Sequence, residues 1–433
     1  MRLLFLFLCL IPSLHADKLL DLYKLQGKQS GPTLLVFGGI HGDEPGGYLA
    51  ASILAKHYSI QSGNLWVVPN TNKESILHYH RGVNGDLNRK FSAISHHDPD
   101  AETIKEIKEL ILHPEANLIL NLHDGHGFFR EKYQNTIFNP GAWGQTCVID
   151  QLKLDNNNSY DDLDCIAQKV SQTLNEHLLQ DHHSFNVRNT QTKKKKNEMQ
   201  YSLTYFAISN DKPAFAIETS KELKETVQKA FYQLRAIEAF MQIMGIRYQR
   251  DFELNSENIK SITKSNGVLT INDNISLDLD NLRKNLRYIP LQSIKNDLCF
   301  SHPLGGVKEG NGFIELYIGH KKISHLSTTP FPLEKCEGLF EATVDGERKS
   351  IDLPSEVNIM SDIVFHAPEG YRLNVIGFTD PRYKNELEIK ITASSLLKRF
   401  SLDREERKFR AEFYKQDAFC GMVVLNYVAR KNQ

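Results

Sequence analysis

The sequence has no excess of charge of either sign. Lys and Arg together number 52 and Asp and Glu 53 in 433 residues, a formal net charge of −1. A protein whose main partner is the nucleic-acid backbone carries a basic excess, so the balance argues against that class. Hydrophobic residues make up 40% and charged residues 24%. This composition excludes a disordered chain and a bundle of membrane helices.

Cysteine is scarce. Of six cysteines, Cys9 lies in an apolar N-terminal segment and the other five are scattered, with no CxxC pair and no ligand-like spacing. A disulfide framework is therefore not expected, and at most two bridges can form. A chain of this length buries a core without such staples. The five scattered residues are Cys147, Cys165, Cys299, Cys336 and Cys420.

Long apolar runs are also lacking, and the clearest short one is at the N-terminus. Arg2 precedes the apolar run of residues 3–10, and a short segment then ends at Ala16. The run is far shorter than the roughly 20 residues of a membrane span. Residues 1–16 are predicted to be a secretory signal peptide, cleaved near Ala16. Leu8 is too large for the position before a lipidated Cys9, so we expect an exported, periplasmic protein without a membrane span.

The length suggests two to four domains. Up to about residue 250 the pattern predicts an α/β domain with buried parallel strands, each a short apolar run, alternating with helices. The last of these helices is expected to end at Gly245, a residue suited to a helix C-cap. The predicted strands are residues 33–39, 65–69, 117–123 and 213–218, and the helices residues 46–57, 101–112, 162–180 and 221–245.

After residue 250 the helical periodicity fades and short alternating runs appear between turn residues. Residues 312–318, 371–376 and 387–391 are examples. Such spacing is typical of small β-barrels or sandwiches. Signal peptide apart, the predicted domains are therefore residues 17–250, 251–340 and 341–433, the last two all-β.

The first chemical signal is a glycine-rich turn after the first strand, with His41 and Glu44 three residues apart. An imidazole and a carboxylate at this spacing can converge on one cation, and zinc accepts that mixture of ligands. The pair alone is a weak signal, because a His and a Glu on a surface turn are common.

A third ligand is expected from His123, which ends the strand 117–123. It would complete a His/Glu/His set like that of zinc peptidases. His126 lies in the glycine turn that follows and is the rival candidate. His123 is preferred because the end of a strand fixes its direction.

Two further patterns add substrate-binding and acid–base groups. Arg81, Asn88 and Arg89 lie in one segment, and guanidinium and amide groups are suited to holding a carboxylate. Glu218 ends an apolar strand, where an unpartnered carboxylate is costly to bury. Beside a metal-activated water, Glu218 could act as general base and then protonate the leaving amine.

Together these residues resemble the zinc metallocarboxypeptidases of the carboxypeptidase A type, over residues 33–245. The resemblance implies one zinc ion held by His41, Glu44 and His123, with Glu218 as general base and acid. It also implies that Arg81 polarises the scissile carbonyl or helps to hold the substrate. Asn88 and Arg89 would then bind the terminal carboxylate.

The whole chain is similar to the periplasmic cell-shape DL-carboxypeptidases of curved and helical Gram-negative bacteria. That group trims the peptidoglycan muropeptide tripeptide to a dipeptide, releasing meso-diaminopimelate from γ-D-glutamate. Its fold is a metallocarboxypeptidase-like α/β domain, with a mixed, largely parallel sheet and helices on both faces, then a small β domain and an immunoglobulin-like domain. The resemblance adds Trp143 and Thr204 as substrate contacts. Separately, the β domains are candidates for wall or protein contacts. Some members carry Gln at the first ligand position, where this chain has His41.

The chain also departs from the digestive enzymes of the wider family. Lys90 follows Arg89 where those enzymes usually have Asn, and Arg81 lies closer to Asn88 than in those enzymes. Tyr201 and Tyr205 are both candidates for the mobile tyrosine of the family, and either could equally be a packing residue. The basic run 193–196 is interpreted as a solvated loop rather than an anion site.

Two other functions remain open from the sequence. Aspartoacylase or succinylglutamate-desuccinylase deacylases share the His-Gly-x-Glu turn and the Asp-Leu-Asn-Arg stretch, but they usually lack a signal peptide. A non-catalytic wall-binding protein would need no complete metal site. The presence of Glu218 beside a full ligand set argues against it.

Overall fold

A computed structural model of the chain describes residues 19–155, 159–293 and 295–428. The expected signal peptide lies outside these residues. By their internal contacts the described residues divide into two compact units, those up to residue 72 together with those between 81 and 252, and those between 73 and 80 together with those from 253 onwards. Within the described ranges no helix has the length and apolarity needed to span a bilayer.

The first unit is built on a mixed, largely parallel sheet, as the sequence predicted. The sheet order is β1-β3-β2-β4-β9-β7-β8, with β10 antiparallel to β3. The central strands β3, β2, β4 and β9 run parallel to one another. Strand β1 is antiparallel to β3, and β7 is antiparallel to β9 but parallel to β8. The strands of this unit are β1 Tyr23–Gln26, β2 Gln29–Phe37, β3 Tyr58–Val68, β4 Ala116–Gly125, β5 Phe128–Phe129, β6 Phe138–Asn139, β7 Thr146–Ile149, β8 Asn186–Asn189, β9 Ala214–Ser220 and β10 Arg247–Arg250.

Helices pack against this sheet, and their ends follow local sequence signals. The last long helix of the unit begins with a capping box between Glu225 and Gln228, and ends at Gly245 in the left-handed conformation. The first unit contains α1 Pro45–His57, α3 Ala101–Leu112, α4 Leu163–Asn175, α5 Thr192–Lys195, α6 Leu203–Ser209 and α7 Thr226–Met244, while α2 Lys73–Leu77 and α8 Ser256–Ile262 belong to the second unit.

The parallel register of the central strands brings their carboxyl ends together. Phe37 at the end of β2 pairs with Asn121 of β4, and His123 of β4 pairs with Glu218 of β9. Residues 34–37 and 118–120 are fully buried. These apolar runs fix the sheet as a core element, so the polar residues that follow them lie at one edge.

The second unit consists of several small sheets, as expected for its sequence. Their orders are β12-β11-β14, β13-β17-β16-β15, β19-β18-β21-β23 and β20-β25-β24-β22. The strands are β11 Val268–Ile271, β12 Ile275–Asp278, β13 Asn285–Leu291, β14 Leu298–Phe300, β15 Gly305–Gly310, β16 Phe313–Ile318, β17 Lys321–Pro330, β18 Glu341–Val344, β19 Glu347–Ser350, β20 Ser355–Ile359, β21 Asp362–His366, β22 Tyr371–Val375, β23 Ile391–Thr392, β24 Lys408–Lys415 and β25 Ala418–Tyr427.

The second unit differs from the sequence prediction at one strand, and it contains a disulfide. The run 387–391 was expected to be a strand, but Leu387 and Glu388 form a turn and only Ile391 is in β23. Leu387 and Ile389 instead pack against the core from an irregular segment, which satisfies their burial without a ladder. One disulfide joins Cys336 to Cys420, within the limit of two bridges.

Candidate metal centre

Three side chains from two chain segments converge at the strand edge. His41 lies in the turn after β2, Glu44 immediately precedes α1, and His123 lies near the end of β4. A ligand atom from each lies within 4.8 Å of the other two, and all three residues are buried. Nδ1 of His123 is 3.2 Å from Nδ1 of His41 and 2.9 Å from Oε2 of Glu44. The structure thus brings together the ligand set predicted from the sequence.

Two glycines at the start of α1 make this approach possible. A Cβ atom on Gly46 would lie 2.4 Å from Oδ1 of Asp124, and one on Gly47 would lie 2.8 Å from the carbonyl oxygen of Leu122. Because both neighbours belong to β4, the start of α1 can pack against this strand only without side chains at these positions. The glycines thereby hold Glu44 next to His123.

The donor set fits a metal ion. Two imidazole nitrogens and a carboxylate face one point, which is the ligand composition of catalytic zinc sites with three protein ligands. Nε2 of His41 contacts Oδ1 of Asp86 at 2.9 Å, which orients the ring so that Nδ1 faces Glu44. Metal-binding histidines commonly have a carboxylate on the second ring nitrogen. The main chain of His123 is held by Gln233, whose Nε2 donates to its carbonyl oxygen at 2.8 Å.

The electrostatics of the site also favour a cation. Burial lowers the pKa of His41, but Glu44 and Asp86 outweigh it and raise that pKa to about 9. Burial opposes ionisation of Glu44, yet His41 and His123 hold the pKa of its carboxyl well below the ordinary value. Burial lowers the pKa of His123. Without a metal ion, a proton on His41 therefore supplies the positive charge that the carboxylates require.

Glu218 lies beside this cluster. It is the one partly exposed residue of the buried strand β9, and it lines the cavity that contains the three candidate ligands. Burial, together with the negative charge of Glu44, raises the pKa of Glu218 to about 8. Gly125 leaves room for it, since a Cβ there would lie 2.8 Å from Oε2 of Glu218.

These pKa shifts predict that stabilisation by metal increases with pH. The stability that protonated His41 contributes is present below pH 6.5 and is lost as the pH rises towards 9. Glu218, with its raised pKa, also destabilises the metal-free fold as the pH rises from 4.5 towards 8. A bound metal ion would replace the lost positive charge, and metal ions bind deprotonated ligands. The difference in melting temperature between zinc-loaded and chelator-treated protein should therefore widen from pH 5 to pH 8. A constant or shrinking difference would contradict this.

The cavity has a volume of about 510 Å³ and contains every residue predicted to contact substrate. Trp143 and Thr204 line it together with Arg81, Asn88 and Arg89. His126 lines it too but is not part of the convergent ligand set. Of the side chains that the structure describes, neither Tyr201 nor Tyr205 is in the lining.

The side chains of Arg81 and Asn88 contact the candidate metal ligands. Arg81 donates from Nη1 to Oε1 of Glu44 and from Nε to Oδ2 of Asp86, both at 3.0 Å. The side-chain oxygen of Asn88 accepts from the backbone N–H of Leu203 at 2.9 Å, and Nδ2 lies 3.5 Å from Nε2 of His123. Nη1 of Arg89 donates to the carbonyl oxygen of Asn88 at 3.0 Å.

Asp86, Lys221 and Asp150 were not predicted from the sequence to have a role. Asp86 contacts His41, Arg81 and the backbone N–H of Asn88. Lys221 lines the cavity and pairs with Asp43 at 2.9 Å. Buried Asp150 accepts hydrogen bonds from threonines of the segment 190–204. Only Asp86 had a sequence signal, since it lies two residues before Asn88 in the same motif.

Replacing Asp86 by Asn is expected to weaken zinc binding by about 10–100-fold, the usual effect of losing an outer-shell partner of a metal-binding histidine. The amide keeps the shape but removes the charge that orients His41. Zinc affinity can be measured by competition with a chromogenic chelator. Asp98→Asn, which removes a carboxylate that pairs with Lys90 instead, is the matched control. Equal affinities for the two variants would contradict the assignment.

Comparison with known proteins agrees with this arrangement. The fold and site are those of a metallocarboxypeptidase. Residues 1–264 match the family described as carboxypeptidase controlling helical cell shape, catalytic, and residues 333–428 match the C-terminal domain of metallo-carboxypeptidase. The chain belongs to this family of cell-shape carboxypeptidases.

Solved structures of one member of the family resemble the chain over nearly its whole length. The cell shape determinant Csd4 from Helicobacter pylori, with bound tripeptide, is 34% identical, with a TM-score of 0.89, and the match covers 94% of this chain and 100% of that one. The mDAP-bound form of Csd4, described as a D,L-carboxypeptidase, matches with a TM-score of 0.88 at the same identity and coverage. The search of curated proteins gave no match.

Proposed function

We propose that the protein is a zinc-dependent DL-carboxypeptidase that removes meso-diaminopimelate from the muropeptide tripeptide and so influences cell shape. The observation that carries the proposal is the convergence of His41, Glu44 and His123 beside Glu218 in one cavity. The extent of the similarity to Csd4, which has been solved with tripeptide and with mDAP, supports the choice of substrate.

In this proposal the metal is zinc, and His41, Glu44 and His123 hold it. Zinc at such a site makes a water molecule more acidic and polarises the carbonyl of the scissile bond. The Nδ1 atoms of both histidines and the carboxylate of Glu44 face the binding point, and Asp86 keeps His41 in that orientation.

Glu218 moves the proton. Its carboxylate takes a proton from the attacking water and later donates it to the amino group of the departing meso-diaminopimelate. Burial and the charge of Glu44 raise its pKa in the metal-free site, and a carboxyl whose pKa is raised towards neutrality can both accept a proton and return it. Its place on the rigid strand β9, in register with His123, keeps it close to the reacting carbonyl.

The remaining residues of the cavity position the substrate. Asn88 and Arg89 bind the terminal carboxylate, for which a guanidinium and an amide supply several N–H donors. Arg81 uses Nε and one N–H of Nη1 for Asp86 and Glu44, so its other N–H groups are available to the carbonyl oxygen in the transition state. Trp143 and Thr204, which also line the cavity, contact the substrate.

The substrate also indicates where the protein acts. Peptidoglycan is reached from the periplasm, and we propose that the protein is exported there and that residues 1–16 direct the export. We further propose a small β domain at residues 251–340 and an immunoglobulin-like domain at 341–433. The sharing of one hydrophobic core by two four-stranded sheets supports the second assignment.

The experiment that tests the proposal compares substrates of different classes. Purified zinc-loaded protein is incubated with the tripeptide L-Ala-γ-D-Glu-meso-diaminopimelate, with N-acetylaspartate and with N-succinylglutamate, and the released amine is measured. We expect release from the tripeptide alone. Hydrolysis of an N-acyl amino acid without hydrolysis of the tripeptide would identify a deacylase, and no hydrolysis by fully loaded protein would identify a non-catalytic binding protein.

A further inference from the structure

The second unit contains a large cavity that has no part in the proposed catalysis. Its volume is about 920 Å³, within the usual range for ligand sites of about 300–1,000 Å³. Strand β13 and its neighbours form one wall, and residues 399–410 form much of the other. We call it the arginine cleft, and its lining is Arg283, Lys284, Asn285, Leu286, Arg287, Tyr288, Ile376, Arg399, Phe400, Ser401, Leu402, Arg404, Glu406 and Arg410.

The charge of this lining is strongly one-sided. Six of its residues are Lys or Arg and one, Glu406, is acidic. The whole chain has 52 basic and 53 acidic residues, so composition alone does not explain the imbalance. A concave surface of one sign concentrates ligands of the opposite sign.

Part of the positive charge is built into the wall. Buried Arg410 donates from Nη2 to the carbonyl oxygen of Arg287 at 3.0 Å and lies 3.3 Å from Glu412. Arg283 donates from Nε to Oγ of Ser401 at 2.8 Å and pairs with Glu406 at 3.3 Å. These two arginines therefore hold the shape of the cleft, and their charge is largely compensated.

The other basic groups have no such compensation. Among the described residues, no acidic side chain forms an ion pair with Lys284, Arg287, Arg399 or Arg404. Arg404 donates from Nε to the carbonyl oxygen of Leu282 at 3.1 Å, a contact that leaves its charge intact. Four cations that share one cleft without counter-charges repel one another, and a bound polyanion would relieve this repulsion.

The backbone adds a second observation, independent of charge. The pairing of β13 with β17 shifts register between Leu286 and Ile289, so that Arg287 and Tyr288 lie in an irregularity of the ladder. Tyr288 has a positive φ of 59° and is 61% exposed. A bulge of this kind redirects side chains, and left-handed backbone at a tyrosine is unfavourable. Arg287 and an exposed aromatic ring are thus presented at the cleft.

We propose that the arginine cleft binds peptidoglycan itself, through the carboxylates of its peptide stems. Guanidinium groups bind carboxylates bidentately, and the rings of Tyr288 and Phe400 offer flat faces for the sugars. This inference rests on the proposed function, because it assigns the cleft to the polymer that carries the substrate. A second attachment to the same polymer raises the effective concentration of stems at the catalytic cavity.

The test measures binding to insoluble, purified Gram-negative sacculi. All proteins carry Glu218→Gln so that the probe is not degraded. Reversal of two charges, Arg287→Glu with Arg399→Glu, is expected to weaken binding by about tenfold or more, and added salt should weaken wild-type binding. The matched control is Lys321→Glu with Lys349→Glu, which makes the same change in net charge at exposed residues outside the cleft. The control should bind like the parent protein.

Three further measurements sharpen the result. Sacculi whose carboxylates have been amidated should bind poorly, and the milder pair Arg287→Gln with Arg399→Gln should show an intermediate loss if the reversed pair fails to fold. In the catalytically intact background, hydrolysis of the soluble tripeptide should stay within about twofold of wild type for both double variants. If the wild-type protein does not hydrolyse the tripeptide, the proposed function is refuted, independently of the binding results.

Several outcomes would overturn the cleft assignment. The assignment is wrong if the parent protein does not bind sacculi, or if the cleft and control variants bind equally. It is also wrong if the parent protein binds amidated sacculi as well as untreated ones. Loss of binding to vesicles containing phosphatidylglycerol in the cleft variant, with sacculus binding unchanged, would show that the cleft serves an anionic membrane surface instead.

Discussion

The variant Glu218→Gln should hydrolyse the muropeptide tripeptide about 10²–10⁴-fold more slowly than the wild type, since this is the usual contribution of a positioned general acid and base. The amide has nearly the same shape as the carboxylate and lies on the same buried strand, so packing is kept. It can neither accept the proton of the attacking water nor return one to the leaving amine. We expect the loss in kcat rather than in KM.

Metal content distinguishes this loss from the loss of the site. Glu218 is not one of the three converging ligands, so the Glu218→Gln protein should contain as much zinc as the wild type by elemental analysis. Glu222→Gln makes the same chemical change at an exposed residue four positions later and should leave kcat unchanged. A Glu218→Gln enzyme within tenfold of wild-type kcat would refute the role assigned to Glu218.

The second large effect is expected from the metal ligands. His123→Ala removes one of three ligands, and the carboxylate of Glu44 then has only one imidazole beside it. Loss of an outer-shell partner typically lowers metal affinity about 10–100-fold, and zinc affinity should fall by more than this when a ligand is lost. Hydrolysis should then be lost at stoichiometric zinc. Competition titration of zinc and activity measured against added zinc test both parts.

His126 provides the matched control, because it lies three residues from His123 and lines the same cavity. It contributes no atom to the converging set, so His126→Ala should retain zinc with wild-type affinity. Loss of zinc from His126→Ala together with retention by His123→Ala would mean that the ligand assignment is wrong.

Strand ends were the most informative part of the sequence. The apolar runs ending near Phe37, His123 and Glu218 are buried strands, and parallel pairing necessarily brings their carboxyl ends to one edge. His41, Glu44 and His123 could therefore be grouped before any coordinates were known. The helix ending at Gly245 was equally clear, because its C-cap signal is local.

Contacts between distant segments could not be read in the same way. The bond from Asp86 to His41 depends on where the loop after α2 passes, and the hold of Gln233 on His123 depends on how α7 packs. Arg81 was expected at the substrate, and its bonds to Glu44 and Asp86 come from the same loop. Such side-chain partners follow from tertiary packing, which residue types and spacing do not determine.

The β modules show a different limit. The alternation in residues 387–391 suggested a strand, but short alternating runs also occur where an irregular segment buries every second side chain. The arginine cleft left no sequence signal at all, because its basic residues come from three separate segments, residues 283–287, 399–404 and 410.

The central claim is that this metal centre removes meso-diaminopimelate from the tripeptide stem, and mass spectrometry of purified muropeptides tests it most directly. After incubation with zinc-loaded protein, tripeptide should disappear, dipeptide and free meso-diaminopimelate should appear in equal amounts, and tetrapeptide should be unchanged. Unchanged tripeptide in the presence of fully zinc-loaded protein, or removal of a residue from the tetrapeptide instead, would contradict the account.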